Sequence, residues 1–166
     1  MSARAAARLR TLGFERVFRY TPGKMDWFAS GLPREGTMAG HPRAGDAARR
    51  DVPTCQWRER LGDVARRVRA AGWDLCVVVD EEAVVLGLLE AAALDGDPTT
   101  VAEDAMRPGP TTFRPHLALE EVTEPLKRKE HVLITTSNGR LVGMLLRADA
   151  ERHIGEIGKG AHTASR

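Results

Sequence analysis

The chain has 166 residues, 42% of them hydrophobic and 29% charged, with a formal net charge of +2. This length supports a domain and a little more around a core that needs no covalent staples, and the composition excludes fibrous and disordered classes. The two cysteines, Cys55 and Cys76, sit in apolar, strand-like surroundings, which suggests reduced core thiols in a cytoplasmic setting, and no apolar run approaches the ~20 residues of a membrane-spanning helix.

From the N-terminus, an Ala/Arg-rich stretch predicts a helix that ends at Gly13, a residue suited to the C-cap. FERVFRY then reads as a short strand, Thr21-Pro22-Gly23 as a turn and KMDWFAS as a second short helix, closed by Gly31-Leu32-Pro33. Such a fragment, residues 1–36, cannot close a core alone; it is expected to dock on its neighbour through Phe14, Phe18, Trp27 and Phe28 or to stay loosely ordered. Residues 37–52 are Gly, Pro, Ala and Arg with almost no large apolar side chain, and read as a linker that cannot order itself. Charge is uneven as well: the first 50 residues carry an excess of six positive charges and Trp73 to Leu126 an excess of ten negative ones. Blocks of this kind steer partners or simply form solvated helix faces.

The rest of the chain is a repeat. With Pro53 set over Thr111, a shift of 58, Thr54 falls over Thr112, Leu61 over Leu119, Val64 over Val122 and Val68 over Leu126. After a two-residue adjustment, Val77-Val78 falls over Leu133-Ile134 and Val85-Leu86-Gly87 over Leu141-Val142-Gly143. Each copy (residues 53–105 and 106–155) predicts a short extended segment, an amphipathic helix and two strands joined by a tight turn, the second turn carrying Asn138-Gly139. The strands CVVV, VVLGLL, HVLI and LVGMLL are continuous apolar runs, as for a sheet covered on both faces. Pro125 should bend or shorten the second copy's helix. The fold class is therefore α/β (α+β), two βαββα units packed face to face, followed by a flexible tail over 156–166.

TVAEDAM followed by PGPTTFRP at 100–115, LCVVVD at 75–80, VVLGLL and LVGMLLRAD together resemble a tandem pair of CBS domains, the Bateman module, over about residues 52–154. AAARLRTLGFERVFRYTPGKMDWFASGLPREG is similar to the C-terminal part of a rhodanese-like sulfurtransferase domain, with Leu12, Gly13, Phe14, Val17, Tyr20, Gly23, Trp27, Gly31 and Pro33 in register. In that family the nucleophilic cysteine lies just before the helix that begins this chain, and Cys55 and Cys76 lie too far downstream to replace it. No catalytic residue is assigned. His41, His116, His131, His153 and His162 show no metal-ligand spacing, and the arginines Arg4, Arg8 and Arg10 have no aromatic stacking platform for nucleic acid beside them.

The CBS resemblance implies a regulatory adenine ligand (AMP, ATP or S-adenosylmethionine) in the cleft between the copies, a homodimer, and no required cofactor. Its signature is Gly-apolar-apolar-Thr/Ser-x-x-Asp, in which the aspartate takes the ribose hydroxyls. The second copy keeps Gly143 and Asp149 but has Leu146 for the hydroxyl; the first keeps Gly87, has Glu90 for the hydroxyl and ends at Ala93. The expected site is thus Asp149 on ribose, Met144 and Gly143 against the base, Thr54 nearby, and His131 and Arg147 toward a phosphate. Asp149 reads equally as an N-cap of the last helix, Thr54 as an ordinary strand residue and His131 as a surface histidine. Beside the nucleotide-sensing module stand two alternatives: a ligand-free dimerisation platform, and a remnant or truncated sulfurtransferase lacking its cysteine loop.

Overall fold

The computed structural model describes residues 2–36 and 39–163, with the side chains of 156–163 left aside. The N-terminal region holds α1 (Ser2–Thr11) and α2 (Lys24–Ala29). A short helix, α3 (Ala44–Ala47), leads into the first copy: β1 (Thr54–Gln56), α4 (Leu61–Ala70), β2 (Cys76–Val79), β3 (Val85–Leu89) and α5 (Ala91–Leu94). A second short helix, α6 (Ala102–Ala105), and β4 (Arg107–Pro108) lead into the second copy. That copy runs β5 (Thr112–Phe113), α7 (Leu119–Lys127), β6 (His131–Thr135), β7 (Leu141–Leu146) and α8 (Arg147–Thr163).

Each helix forms because its apolar residues recur at helical spacing and have a sheet to cover. Leu61, Val64, Ala65 and Val68 of α4, and Leu119, Val122 and Leu126 of α7, are all buried, each leucine and valine contributing roughly 1.5–3 kcal/mol on leaving water. The strands are buried on both faces because their residues alternate between two cores. Cys76, Val78 and Leu89 face the helices of the first copy, and Val132, Ile134 and Leu145 those of the second. The intervening Val77, Val79, Leu88, Leu133 and Met144 meet in a third core between the two sheets.

The copies repeat in hydrogen-bond register as well as in sequence. Thr54 pairs with Val77 in parallel β1–β2 as Thr112 pairs with Leu133 in β5–β6. The antiparallel hairpins match too, Val77 with Leu88 and Leu133 with Met144, each with a bulge near the turn. Turn chemistry differs. Asp80 Oδ1 accepts the N–H groups of Glu82 and Val84 in the first hairpin, whereas Gly139 takes a φ of 80° in the second. The α7 helix runs through Pro125 to Lys127, 9 residues against the 10 of α4.

Four other expectations are corrected. FERVFRY forms no strand among the described residues, because no sheet edge is offered to it; Phe14 is 58% and Phe18 83% exposed. Only Phe28 of the four aromatics makes the expected docking, set among His116 at 6.3 Å and the guanidinium groups of Arg43 and Arg34 at 5.1 and 5.9 Å. Residues 156–163, expected as flexible tail, continue α8.

The fourth correction concerns the linker. Ala44, Ala47 and Ala48 are buried in the second copy's core, although they precede the first copy in sequence. Arg49 exchanges both main-chain hydrogen bonds with Met144 of β7, at 2.8 and 2.9 Å. The same arrangement holds for the twin: Ala102 of α6 lies in the first copy's core and β4 pairs with β3, Leu88 opposite Arg107. Each copy's lead-in segment thus completes the other copy's sheet. The linker looked unable to order itself because its residues are small, but small residues are what a short helix needs to lie close on a sheet.

Candidate functional site

Exchange of the lead-in segments decides what the two glycines do. A Cβ on Gly143 would collide with the Arg49 carbonyl, and one on Gly87 with Met106 and the Arg107 carbonyl. Both glycines make room for the crossing segment, Gly143 for its main chain and Gly87 chiefly for the Met106 side chain, not for a ligand's base. Met144 is fully buried between the sheets, so it offers no face to an open cleft. Thr54 is exposed on β1, where its carbonyl accepts a 3.5 Å hydrogen bond from Arg67.

Arg147 is also committed elsewhere. Its Nε donates to the Leu126 carbonyl at 2.8 Å, Nη2 to Lys127 at 3.4 Å, and it pairs with Glu130 at 3.0 Å. Those bonds satisfy the free carbonyls at the end of α7. Asp149 lies in the first turn of α8, not at its N-cap, where the helix dipole favours a carboxylate. One of its oxygens accepts from Arg152 and the other, Oδ2, is buried without a partner among the described residues. Of the six expected residues, Gly143 and Met144 adjoin in β7, Asp149 and Arg147 sit on α8, His131 of β6 pairs with Leu146 next to Arg147, and Thr54 lies on β1.

His131 opens a different site. Glu90, Arg107, Pro110, Thr111, Lys129, Glu130, His131, Val132 and Leu133 surround a cavity of about 250 Å³. Glu90 ends the first copy's sheet, Arg107 to Thr111 are the crossing lead-in, and Lys129 to Leu133 open β6, so both copies build the walls. Arg107 and Glu90 pair at 2.8 Å across the mouth, and Lys129 donates to the Thr111 hydroxyl. Burial lowers the His131 pKa, opposed by Glu90, which keeps the ring neutral at pH 7 and able to gain a proton when an anion arrives. The formal charges of the lining balance, Arg107 and Lys129 against Glu90 and Glu130, and Pro110, Val132 and Leu133 add an apolar wall, so a flat, partly apolar ligand meets donors and acceptors of both signs. Sequence reasoning missed Arg107, Pro110, Thr111 and Lys129. The repeat frame would have found them, since they are the second copy's counterparts of Arg49, Val52, Pro53 and Trp73.

The other titratable pair on the first copy is structural. Cys55 and Cys76 are free and buried, and a mutual hydrogen bond, then burial, pushes the Cys76 thiol strongly up. A thiol held protonated in this way is a poor nucleophile. Among the described residues no group of His, Cys, Asp and Glu could hold a metal ion, and no described helix is long and apolar enough to cross a membrane.

The sequence profile of the CBS domain family matches residues 101–156. No curated protein matches the chain. Among solved structures, the cytosolic domain of the Mg2+ channel MgtE in complex with ATP aligns with a TM-score of 0.63 at 23% identity, covering 69% of this chain and 50% of that one. The CBS-pair protein CBSX2 from Arabidopsis thaliana aligns with a TM-score of 0.64 at 17% identity, covering 72% of this chain and 99% of that one. CBSX2 in complex with AMP gives 0.63 at 18% identity, covering 70% and 98%. This chain therefore spans about half of the MgtE cytosolic domain and nearly all of CBSX2. At these identities the likeness is one of fold, that of a tandem CBS pair. The rhodanese resemblance of residues 1–36 finds no support in these comparisons.

Proposed function

We propose that the chain is a non-catalytic, cytoplasmic regulatory module that binds an adenine nucleotide (AMP, ATP or S-adenosylmethionine) in the cleft around His131. The observation that carries this reading is the cavity of about 250 Å³ walled by both copies, where Arg107, Lys129 and His131, with Glu90 and Glu130 among them, stand beside apolar residues. A ligand there touches the end of one sheet and the start of the other, so its binding energy fixes how the copies sit, and a partner that senses this arrangement is regulated. Support also comes from fold relatives with ATP and AMP bound. The site differs from the one expected around Asp149, whose neighbours are packed or committed.

Isothermal titration of the full chain with AMP, ATP and S-adenosylmethionine tests it. Arg107→Ala and His131→Ala should each weaken binding about tenfold or more, the ~1.4 kcal/mol of one good charge-assisted contact, while Asp149→Ala leaves it unchanged. Absence of binding at millimolar nucleotide would reject the proposal.

A second reading has its own observation. Ala93 stands where Asp149 has its counterpart, so the open cleft lacks the carboxylate that would take ribose hydroxyls. On this reading the module is a ligand-free dimerisation platform. It predicts a homodimer whose melting temperature no nucleotide shifts, since a ligand selective for the folded state must raise it.

A further inference from the structure

The repeat gives every wall of the open cleft a counterpart on the opposite side of the module, and that second cleft is built differently. Trp73 replaces Lys129, Leu75 replaces His131, Val52 replaces Pro110 and Leu146 replaces Glu90. The first three exchanges each put a larger or more apolar side chain in the wall, and the fourth removes a charge. Val52 and Leu75 are buried, and Trp73 and Leu146 pack against the core between the sheets.

Arg49 lies over the Trp73 indole, its guanidinium carbon 4.6 Å from the ring centroid. The side chain is held from behind by Asp51 through bonds of 3.1 and 2.7 Å. Its main chain is fixed by the paired bonds to Met144, five residues before Asp149. That carboxylate keeps one buried oxygen, Oδ2, without a partner. The charge of Asp149 also acts on the Arg49 guanidinium, which links the carboxylate, through the stacked cation, to the flat ring of Trp73.

We propose that Trp73 is an intramolecular occupant of this second cleft: its indole takes the place of a nucleoside base, Arg49 closes over it, and Oδ2 of Asp149 stays without a partner until the ring swings out. The inference rests on the adenine-nucleotide reading of the module, but concerns the other cleft. The wild-type chain then has one accessible site and one latent site, and displacement of Trp73 turns the second on.

The test is titration of AMP into the wild-type chain and the Trp73→Ala, Arg49→Ala and Trp73→Ala/Asp149→Ala variants, with cooperative unfolding checked for each. Trp73→Ala should bind one more AMP per chain than wild type, and the double variant should lose that additional AMP. Arg49→Ala, which keeps the main-chain pair with Met144, should tighten binding at the second site about tenfold. It decides the matter should Trp73→Ala fail to fold. Equal stoichiometry in wild type, Trp73→Ala and Arg49→Ala overturns the proposal, as does additional binding that survives in the double variant. Binding to the variants but not to wild type would sink the open-cleft reading and uphold this one; one AMP in every protein would do the reverse.

Discussion

The two clefts share one backbone and have little else in common. Each is framed by the same parallel and antiparallel register, the same crossing lead-in and the same glycine under it. One is lined by Lys129 and His131 and stays open; the other is lined by Trp73 and Leu75 and is packed. Duplication fixes where a cleft falls, whereas a few side chains at the start of β2 and β6 decide whether it is available. A glycine or aspartate signature read along one copy misses this, because the wall comes from the opposite copy.

The comparison is broken most severely through the glycines. Gly143 faces a backbone carbonyl and Gly87 faces chiefly the flexible Met106 side chain. Gly143→Ala should therefore cost about 3 kcal/mol and Gly87→Ala about 1 kcal/mol, the upper and lower ends of overpacking. Urea denaturation of both variants measures this, and equal costs would mean that the two crossings are equally tight. A smaller effect comes from making the clefts alike. Lys129→Trp gives the open cleft its twin's side chain and should weaken nucleotide binding at least tenfold while stability changes little; unchanged affinity would show that an indole does not fill this position.

The finest distinction is titration. His131 is held neutral by burial and its twin Leu75 cannot titrate. The folded pKa lies below the ordinary value of about 6.5, so the unfolded chain binds the proton more readily. Stability from the neutral ring is then fully present above that pH and is lost as pH falls through it. His131→Leu should remove this part of the pH dependence between pH 8 and 5, seen as a flatter plot of denaturation midpoint against pH. An unaltered slope would place His131 in water.

Much of the fold could be read in the sequence because duplication doubles every signal. Leu61, Val64 and Val68 predict one helix, and Leu119, Val122 and Leu126 confirm it. The lead-ins were missed for a physical reason: Ala44, Ala47 and Arg49 carry no apolar pattern, and main-chain pairing to a distant strand leaves no trace in local composition. Carrying the 58-residue shift ten residues further back would have set Ala44 over Ala102 and Arg49 over Arg107. Trp73 was hidden differently, since it lies where the shift changes from 58 to 56. FERVFRY was misread because aromatic and β-branched residues favour a strand only where an edge exists to receive it.

The exchange of lead-ins has a consequence for how such a chain is inherited and cut. Neither half owns a complete sheet: cleavage near residue 106 would leave each piece holding the other's missing edge, and the pieces would find one another again. A single copy with this lead-in would complete its sheet only by pairing with a second, arm for arm. The covalent chain thus has the arrangement of a domain-swapped pair held on one backbone, in which the two halves need not be alike.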